Sequence, residues 1–548
     1  MRTTTVVLFE TGVALELLTE LLALQHRHGY VDDESLRELA RRRNVPLYRL
    51  EGLVSFYSHF RREPTAATTF QVCRDVVCCM HGGDKHAERL QAATPGKDAS
   101  VERVSCLGRC DRAPAIAAND VPLASAEQAY ELLGDNATRP AQGSTSAPRS
   151  WKCDPYSSPN GFYATLQRLV SSSIDDLPRT CIESLQQSGL RGMGGAGFPT
   201  GKKWEFVAAE AASPKYVICN ADESEPGTFK DRDILAELPH LVVEGMILAG
   251  LTIGAEQGIV FIRHEYDRER QLVQQAIDDA RARGILGDSI SGSGRRFDID
   301  IFVSPGGYIL GEETALLEAL EDKRGEPRNK PPYPGSCGLW GRPTLINNVE
   351  SFALATSIIH HGPEWWNGQG HDGRAGLKFV CISGDVSQPG VYEIPYGLPV
   401  AELIELAGGM RDGQSLQAFL PGGASSNFLS AEHVDTPLDF DAMAAVGSML
   451  GTGAVIIIAD GRDLFSLATN LVRFFRNESC GKCVPCRIGS EKAVELLENV
   501  QSGGRKSSEL AILPELGETL EQTSICGLGQ VALNPILSMM KHFPGEVP

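Results

Sequence analysis

The stretch Gly189-Leu-Arg-Gly-Met-Gly-Gly-Ala-Gly-Phe-Pro-Thr-Gly-Lys-Lys-Trp-Glu-Phe206 combines closely spaced glycines with aromatic and basic residues. Its glycines include Gly192, Gly194 and Gly197, which stand at G-x-G-x-x-G spacing, and its other functional side chains are Phe198, Lys202, Lys203, Trp204 and Phe206. Glycine lets a backbone approach a phosphate or a flat ring closely and directs amide N–H groups toward an anion. The stretch therefore predicts a loop that binds a nucleotide or flavin phosphate. An ordinary glycine-rich turn is the alternative.

The same spacing occurs in the Rossmann dinucleotide fingerprint, but the context here differs. That fingerprint needs a β-strand directly before the first glycine and an acidic residue about 20 residues later on a second strand. The preceding segment, residues 178–189, instead has the pattern of a helix that ends at a glycine cap. We therefore reject a standard Rossmann interpretation of this loop.

Length and charge limit the class of protein. A chain of 548 residues is too long for one hydrophobic core, so three or four domains are expected. The net charge of −19 argues against nucleic acid and against an anionic membrane as partners. The longest apolar stretch, residues 241–255, contains Glu244 and is too short to span a bilayer, and the N-terminus does not resemble a signal peptide. These features predict a cytoplasmic protein with no direct membrane insertion.

Fourteen cysteines in such a chain indicate metal or redox chemistry rather than disulfides. A first group consists of two pairs, Cys73-x4-Cys78 and Cys106-x3-Cys110, and residues 68–73 predict a strand that ends at a cysteine. Four thiolates on two loops are what an iron–sulfur cluster requires. A 2Fe–2S cluster is favoured over zinc, because structural zinc sites prefer two-residue gaps.

A second group is Cys480-x2-Cys483-x2-Cys486, with Cys526 farther along the chain. This spacing indicates a 4Fe–4S cluster, since three close ligands can wrap one face and a distant segment supplies the fourth, and zinc is the alternative. The other cysteines are interpreted as buried or half-buried thiols without chemistry. They are Cys79, Cys153, Cys181, Cys219, Cys337 and Cys381.

Polar residues also gather at predicted turns between residues 215 and 348. A predicted strand at 215–220 leads into Asn220, Asp222, Glu223 and Glu225, which suit ribose or ring hydroxyls or a metal; a solvated acidic turn is the alternative. A second glycine turn, 306–311, precedes Glu312 and Glu313, for which helix capping is an alternative explanation. Farther on come the stiff segment Lys330-Pro-Pro-Tyr333-Pro334 and the pair Asn347-Asn348.

In order and spacing, these motifs resemble the 51-kDa-type flavoprotein of NADH:acceptor oxidoreductases, which binds FMN and NADH on a Rossmann-like but distinct fold. Residues 30–60 and the first cysteine group resemble the thioredoxin-like 24-kDa-type subunit of respiratory NADH dehydrogenases. Together the two resemblances span nearly the whole chain. The departures are small: Met193 stands where that family often has Arg, Ser224 where it often has Gly, and Tyr333 where it often has Phe.

The resemblance implies that the chain holds FMN, NAD(H) and the two iron–sulfur clusters. It also implies which residues bind FMN and NAD(H). FMN would be held by Gly192, Gly195, Lys203, Asn220, Asp222, Tyr308, Gly311, Asn347 and Asn348, with Glu312 beside them. NADH would contact Phe198, Lys203, Phe206, Glu225, Glu313, Lys330 and Tyr333. Among these, Glu313 is the candidate catalytic residue, which would tune hydride transfer or repel the nicotinamide product.

The predicted fold is a multidomain α/β protein, with six segments. They are a helical bundle (1–65), a thioredoxin-like 2Fe–2S domain (66–135), a linker (136–161), an FMN/NADH domain (162–372), a β-grasp, SLBB-like insertion (373–458) and a helical 4Fe–4S domain (459–548). The helical bundle is expected to serve contacts and has no evident catalytic residue. Trp151 and Tyr156 are expected to hold part of the linker in place.

A chain of this kind is predicted to be a diaphorase module in which two subunit types are fused. The chain resembles the beta subunit of cytoplasmic NAD-dependent formate dehydrogenases that use molybdenum or tungsten. This resemblance rests on the fusion, on the lack of a further ferredoxin-like segment, and on segments 161–166, 421–425 and 526–530. The implied partner is a molybdenum- or tungsten-containing alpha subunit with iron–sulfur clusters. The diaphorase subunit of an NAD-reducing hydrogenase or of an NADH:quinone oxidoreductase is the alternative, and a scaffold without cofactors is a further one.

Overall fold

The computed structural model of the protein describes residues 17–134 and 149–548. Two predictions fall partly outside these ranges. One concerns the N-terminal end of the chain, where the first residues of the helical bundle and no signal peptide are expected. The other concerns the first part of the linker. The boundaries of the six predicted segments stay a prediction.

Three helices precede the first sheet: α1 (Leu17–His28), α2 (Asp33–Arg43) and α3 (Leu47–Phe56). The start of α2 is capped by Asp32, whose carboxylate accepts a hydrogen bond from Ser35 N at 2.8 Å. Tyr57, just after α3, is buried, and its hydroxyl donates to Lys323 O at 2.6 Å. The helical segment is therefore attached to the central part of the chain.

A small four-stranded sheet follows, with strand order β2-β1-β3-β4. Its elements are β1 (Thr68–Cys73), α4 (Val76–Met80), α5 (Gly83–Ala93), β2 (Ala99–Val104), β3 (Ile116–Ala118), β4 (Val121–Pro122) and α6 (Ala126–Leu132). Strand β1 pairs in parallel with β2 and antiparallel with β3. As predicted, β1 ends at Cys73, which places that thiol at the carboxyl end of the parallel pair β1–β2.

The described part of the linker, residues 149–161, lies along the central part of the chain. Trp151 is buried and its indole Nε1 donates to Glu237 Oε2 at 2.9 Å, while the Tyr156 hydroxyl donates to Glu244. Both aromatic residues therefore hold the segment in place, as expected.

A second sheet forms the largest core. Its helices are α7 (Ala164–Ser173), α8 (Leu177–Ser188), α9 (Thr200–Ala209), α10 (Lys230–Glu237), α11 (Pro239–Ile253), α12 (Asp267–Ala282), α13 (Glu313–Leu320), α14 (Pro334–Cys337) and α15 (Val349–His361), and its strands are β5 (Tyr216–Ala221), β6 (Gln257–Arg263), β7 (Asp298–Ser304) and β8 (Thr344–Asn348). The strand order is β7-β6-β5-β8, and all pairs are parallel. Apolar strands such as β5 suit this arrangement, because helices cover a parallel sheet on both faces.

Helix α11 is the most apolar helix of this core, with nearly all of its side chains buried. Within the described residues, no single helix has the length and apolar composition needed to cross a membrane. Helices α10 and α11 meet those criteria only as a pair, and the chain bends by 94° between them.

The third sheet has strand order β10-β9-β13-β11-β12. The elements of this region are α16 (Pro363–Asn367), β9 (Leu377–Gly384), β10 (Gly390–Pro395), α17 (Val400–Leu406), β11 (Leu416–Leu420), β12 (Leu429–Ser430), α18 (Phe440–Ala445) and β13 (Ala454–Ala459). The antiparallel hairpin β9–β10 and the parallel pair β9–β13 give the mixed sheet expected of a β-grasp insertion.

The chain then becomes helical, as predicted. The helices are α19 (Leu464–Glu478), α20 (Val484–Gln501), α21 (Leu513–Thr523), α22 (Gly527–Val531) and α23 (Asn534–His542). Helix α19 packs Phe474 and Phe475 around the ring of Tyr308, with ring centroids 5.1 and 6.2 Å away. This contact joins the helical region to the loop after β7.

Candidate functional site

The predicted polar residues meet at the carboxyl edge of the parallel sheet, where strands β5, β7 and β8 end. Asn220 and Asn348 are partners in the register of β5 and β8. The Asn220 amide donates to Gly311 O at 2.8 Å. An added Cβ at Gly311 would lie 3.3 Å from Asp222 O. The edge of an open parallel sheet beyond its carboxyl ends is where such folds bind ligands.

The glycine-rich loop closes one side of this edge. Helix α8 ends at Gly189 with φ 65°, which confirms the helix before the loop and the rejection of a standard Rossmann motif. The Gly192 N–H donates to Phe198 O at 2.8 Å, so this amide stabilises the turn itself. An added Cβ at Gly194 would lie 3.2 Å from Asn348 Cβ, and Gly195 has φ 112°. The loop therefore approaches β8 as closely as only glycine allows.

Met193 occupies the position at which the resembled family often has Arg. Its side chain is buried, and the Lys378 ammonium from strand β9 lies 3.6 Å from its Sδ. Lys378 also lies 3.4 Å from the buried Glu350 carboxylate. A positive charge from the inserted sheet therefore stands beside Met193.

Two acidic residues after β5 face the edge in a buried setting. Neither carboxylate oxygen of Asp222 has a hydrogen bond of normal geometry among the described residues, and burial raises the pKa of Asp222 to about 8. Burial also raises the pKa of Glu225 to about 7, although the Glu225 carboxylate accepts a hydrogen bond from Ser425 N at 2.9 Å. A buried acceptor without a partner indicates a missing donor, so the site fits a ring with N–H or hydroxyl groups, such as a flavin.

Glu223 has a different role from its neighbours. Its carboxylate accepts from Asp231 N at 3.0 Å and Arg232 N at 3.2 Å, and from the Tyr266 hydroxyl at 2.9 Å. These bonds satisfy the first N–H groups of α10. Glu223 therefore holds the fold rather than a ligand.

Tyr308 and Glu478 connect this edge to both cysteine groups. The Tyr308 hydroxyl is 3.0 Å from Ser425 Oγ, and Tyr308 N donates to Glu478 Oε2 at 2.8 Å. The other carboxylate oxygen of Glu478 accepts from Ser105 Oγ at 2.5 Å. Because Ser105 precedes Cys106 and Glu478 lies two residues before Cys480, one carboxylate joins the edge to two cysteine loops.

Exposed aromatic residues stand beside the loop. Phe198, Phe206 and Tyr333 are 44%, 59% and 61% exposed, and the rings of Phe198 and Phe206 are 6.5 Å apart. Large apolar side chains are usually covered, so an exposed group of them marks a binding surface. A flat base could stack there.

Lys330 stands with two acidic residues at the start of α13. Its ammonium lies 2.8 Å from Glu312 and 2.7 Å from Glu313. Burial alone would lower the pKa of Lys330, but these carboxylates outweigh burial and raise it. Glu312 also caps α13, accepting from Thr314 N and Ala315 N, so the capping explanation holds for it. The Glu313 carboxylate is directed at Lys330.

The remaining predicted residues lie under the loop. The Lys203 ammonium donates to Ile346 O at 3.1 Å, and burial lowers its pKa. With its amide oriented to satisfy both neighbours, Asn347 accepts from Trp204 Nε1 at 3.2 Å. Asn348 accepts from the buried Lys230 ammonium at 3.1 Å. Sequence reasoning missed Lys230, which places a positive charge directly beside Asn348.

The first cysteine group comes together as predicted. Cys73, Cys78, Cys106 and Cys110 are all buried, and the Sγ atoms of Cys106 and Cys110 are 3.7 Å apart. Backbone N–H groups donate to three of the sulfurs: Gly108 to Cys106 at 3.4 Å, Ala115 to Cys78 at 3.3 Å and Gly227 to Cys110 at 3.4 Å. N–H donors around four thiols fit an iron–sulfur cluster, because hydrogen bonds to the sulfurs help to set the reduction potential of such a cluster.

Two buried arginines from the parallel-sheet region hold the loop of this group. Arg232 Nη1 donates to Gly108 O at 2.8 Å, and its guanidinium forms a bidentate pair with Asp111 at 2.8 and 3.0 Å. Arg263 donates to Cys106 O at 2.6 Å. Sequence reasoning missed both, because each contact joins segments more than 100 residues apart.

The second cysteine group also assembles, at the starts of two helices. Cys483 and Cys526 occupy the positions just before α20 and α22, while Cys480 lies in the loop before α20 and Cys486 in its first turn. An added Cβ at Gly529 would lie 2.9 Å from Cys486 Cβ, so glycine is required for this close approach. Cys480, Cys483 and Cys526 are half-buried and Cys486 is buried. Four thiols without disulfides fit the predicted 4Fe–4S cluster.

Comparison with known families matches four regions of the chain. Residues 10–133 match the thioredoxin-like [2Fe-2S] ferredoxin family, and residues 185–356 match the Nuo51 FMN-binding domain. Residues 379–426 match the SLBB domain, and residues 466–548 match the iron-sulfur binding region of NADH-ubiquinone oxidoreductase-F. These matches confirm the predicted fold and both cluster types.

One relative is the second F-type subunit of the NADH-quinone oxidoreductase of Rhizobium meliloti (strain 1021), which is 43% identical over 71% of this chain and 92% of its own length. The chain belongs to the family of F-type NADH-quinone oxidoreductase subunits. The NADP-reducing hydrogenase subunit HndC of Solidesulfovibrio fructosivorans is 42% identical over 67% of this chain and 75% of its own length. A crystal structure of an NAD+-reducing [NiFe]-hydrogenase in the H2-reduced state contains a chain with TM-score 0.86 and 31% identity, covering 96% of this chain and 91% of that one.

Family membership and the assembled residues establish the cofactors. The chain is an NAD-linked oxidoreductase subunit that binds FMN and NAD(H) and carries a 2Fe–2S and a 4Fe–4S cluster. The predicted roles of individual side chains in the FMN and NAD(H) sites remain predictions.

Proposed function

We propose that this chain is the NAD(H)-reactive subunit of an NAD-dependent formate dehydrogenase, and that a separate molybdenum- or tungsten-containing subunit with iron–sulfur clusters oxidises formate. The observation that supports an electron-transfer role is the position of Glu478, whose carboxylate bonds both the Tyr308 N–H and the Ser105 hydroxyl. The edge of the parallel sheet and the two cysteine loops are therefore adjacent. The cysteine usage, with fourteen free thiols in the described residues, supports a cytoplasmic location.

We propose the following roles at the FMN site. Asp222 and Asn220 would bond the polar edge of the ring, since the Asp222 carboxylate is buried beside Asn220, which lies in register with Asn348. The glycine-rich loop would approach the phosphate, with Lys203 supplying positive charge. Tyr308, Gly311, Asn347 and Asn348 line the same edge. When bound, FMN supplies the ability to exchange a hydride with NAD(H) and single electrons with iron–sulfur clusters.

We propose that NAD(H) is bound by the exposed aromatic group and by Lys330. Phe198, Phe206 and Tyr333 would stack on the flat parts of the nucleotide, and the Lys330 ammonium would meet its phosphates. Glu225 and Glu313 would be the acidic residues that contact NAD(H). Glu313, held 2.7 Å from Lys330, would orient that ammonium and oppose the positive charge that nicotinamide carries after oxidation.

A matched pair of variants tests the role of Glu313. Glu313→Gln keeps the size of the side chain but removes its charge, so the proposal expects a lower rate of NADH oxidation with an artificial acceptor. Glu256→Gln, at an exposed position just before β6 and therefore at the opposite edge of the parallel sheet, is the control. If Glu313→Gln keeps both NADH affinity and turnover, the catalytic role of Glu313 is excluded.

The assignment of formate rests on the fusion of two subunit types and on segments 161–166, 421–425 and 526–530. A second candidate is the diaphorase subunit of an NAD-reducing hydrogenase, because the chain matches a chain of such an enzyme over 96% of its length. Both candidates use the same FMN and NAD(H) site.

The partner decides between these candidates. The experiment is to purify the complex that contains this chain, to determine molybdenum, tungsten and nickel, and to follow NAD+ reduction with formate and with hydrogen. Formate-dependent reduction with molybdenum or tungsten supports the first candidate. Hydrogen-dependent reduction with nickel rejects it in favour of the second. NADH oxidation with an artificial acceptor checks the diaphorase module itself in either case.

A further inference from the structure

A cavity of about 480 Å3 separates three parts of the chain: the end of the helical segment, the small sheet and the carboxyl edge of the parallel sheet. His59, Asp120 and His264 line it, one from each part, together with Cys106 and Gly306. One potential ligand atom from each of His59, Asp120 and His264 lies within 4.8 Å of the others. The sequence interpretation assigned no chemistry to any of these three residues.

We propose that His59, Asp120 and His264 bind one divalent metal ion of the zinc class, which fastens the helical segment and the 2Fe–2S domain to the FMN domain. Two imidazoles and one carboxylate are a donor set that zinc uses in proteins, usually with a fourth position left for water. Tetrahedral ligands about 2 Å from zinc lie closer together than 4.8 Å, so a small inward movement of the side chains would complete the site.

His59 is positioned by its neighbours in the sequence and by Gln25. Tyr57 and Phe60 on either side are buried, which fixes the backbone between them. The Gln25 amide donates to His59 O at 2.6 Å, and Gln25 also accepts from Arg61 N at 2.7 Å. The imidazole therefore projects into the cavity from an anchored turn.

Asp120 is oriented by Gln71. The residue has φ 65° in the turn between β3 and β4, and its backbone N–H donates to Gln71 Oε1 at 2.9 Å. The Gln71 amide in turn donates to Asp120 Oδ1. Arg61 Nη1 is 4.0 Å from Oδ2, so that oxygen has only a distant charge partner. Ligating carboxylates in metal sites are commonly oriented by such hydrogen bonds.

His264 follows the last residue of β6, and its imidazole is packed by glycine. An added Cβ at Gly306 would lie 2.6 Å from His264 Cε1, so the loop after β7 fits against this ring only without a side chain. Among the residues that the structure describes, the buried Nδ1 of His264 has no hydrogen-bond partner, and Glu265 Oε2 lies 3.4 Å from it. A carboxylate beside a histidine ring nitrogen is the usual outer partner of a metal-binding histidine.

The charges that line the cavity are balanced, with four arginines and four carboxylates: Arg61, Arg74, Arg103 and Arg263, and Glu102, Asp120, Glu265 and Glu478. Arg61 is 3.3 Å from the Glu102 carboxylate, and Arg263 forms a bidentate pair with Glu265. These two arginines are therefore balanced by acidic partners. Asp120 and Glu265 are the carboxylates beside the two histidines, whose rings are 4.0 Å apart.

The test uses the purified full-length chain, or its complex, with zinc and iron determined together after dialysis against micromolar ZnCl2. The proposal expects about one zinc per chain. Zinc K-edge absorption spectra should show nitrogen and oxygen neighbours near 2.0–2.1 Å and no sulfur near 2.3 Å. No bound zinc, or a sulfur shell, which would mean zinc in the cysteine groups, overturns the proposal.

Variants locate the ion. His59→Gln and His264→Gln should each lose the zinc while keeping iron and flavin content, which shows that the chain remains folded. Gln71→Met should weaken zinc binding by about 10- to 100-fold, since it removes only the group that orients Asp120. His86→Gln is the control, because His86 lies in the same small domain but contacts Tyr130 at 3.1 Å. If zinc remains in both histidine variants, or is lost in the control, the assignment of these ligands is wrong.

If the histidine variants fail to fold, diffraction data from crystals of the unaltered protein soaked in ZnCl2 replace them. Data on both sides of the zinc edge should give an anomalous peak between His59, Asp120 and His264. A peak elsewhere, or none, overturns the proposal. None of these measurements depends on the identity of the partner subunit or on NADH oxidation.

Discussion

Removing Arg232 should weaken the attachment of the 2Fe–2S loop to the FMN domain without altering a cluster ligand. Arg232 is only 7% exposed, forms a bidentate pair with Asp111 and donates to Gly108 O. Burial alone would raise the pKa of Asp111, but the neighbouring arginines, Arg232 first and then Arg112 and Arg109, together outweigh burial and lower it. Arg232→Met leaves Asp111 charged and buried without that partner.

The cost can be estimated from the class of interaction. Breaking a buried ion pair by removing one partner costs about 3–5 kcal/mol. If this cost falls on local opening of residues 106–112, the open population should rise by about 10²- to 10³-fold or more, at about 1.4 kcal/mol per tenfold change. Hydrogen–deuterium exchange of the backbone amides in that segment measures this population directly, with iron content as evidence that the cluster is retained.

Arg112 provides a matched control. Its Nε lies 3.6 Å from the same Asp111 carboxylate, but its side chain is 41% exposed. Exposed pairs contribute about 0–1 kcal/mol, so Arg112→Met should change exchange less than about fivefold. Adding Asp111→Asn to Arg232→Met should restore much of the protection by removing the uncompensated charge. Exchange that rises less than tenfold in Arg232→Met, or equally in Arg112→Met, would refute the explanation.

Three further predictions concern separate parts of the chain. Glu244 has a pKa that burial raises from 4.5 to about 7, so the folded state keeps a proton that the unfolded state releases. The stability that this proton contributes is present below pH 4.5 and is lost as the pH rises to about 7, and the loss is on the order of 3 kcal/mol. The melting temperature of the wild type should therefore fall over that interval relative to that of Glu244→Gln. Parallel pH profiles of the two melting temperatures would contradict the prediction. Tyr333→Ala should weaken NADH binding by about 5- to 150-fold, since stacking on a base is worth about 1–3 kcal/mol, whereas Tyr333→Phe should bind NADH within about twofold of the wild type. Titration calorimetry measures the NADH affinity of both variants. Equal affinities of Tyr333→Ala and the wild type would exclude stacking. Cys526→Ser should lower iron from about six to about two atoms per chain, with the 2Fe–2S signal kept in electron paramagnetic resonance spectra; loss of both signals would mean that the helical region is needed for the first cluster.

Features that depend on local spacing were predictable from the sequence. The two cysteine groups, the strand that ends at Cys73 and the helix that ends at Gly189 are each written in a few consecutive residues. The fold comparisons confirm the domains to which these motifs pointed. A short motif carries such information because its ligands or caps lie within one or two turns of the chain.

The contacts between domains were not predictable in the same way. Arg232 meets Asp111, 121 residues away, and Glu478 meets Ser105, 373 residues away. Arginine and glutamate are common on surfaces, so nothing in their own neighbourhood marks these two as buried connectors. Likewise His59 follows a short helix with no ligand-like spacing, and only the fold brings it to Asp120 and His264.

The different exposure of the two cysteine groups determines when each can receive iron. The four thiols of the first group are at most 4% exposed: Cys73, Cys78, Cys106 and Cys110. Cys110 Sγ also accepts a hydrogen bond from Gly227 N of the FMN domain. A carrier protein therefore cannot reach these thiols once the domains have docked. Cys480, Cys483 and Cys526 are half-buried in the docked chain. Maturation should therefore proceed in order, with the 2Fe–2S cluster delivered to an open intermediate and the 4Fe–4S cluster able to follow after closure. A chain that closes too early would be trapped with one cluster.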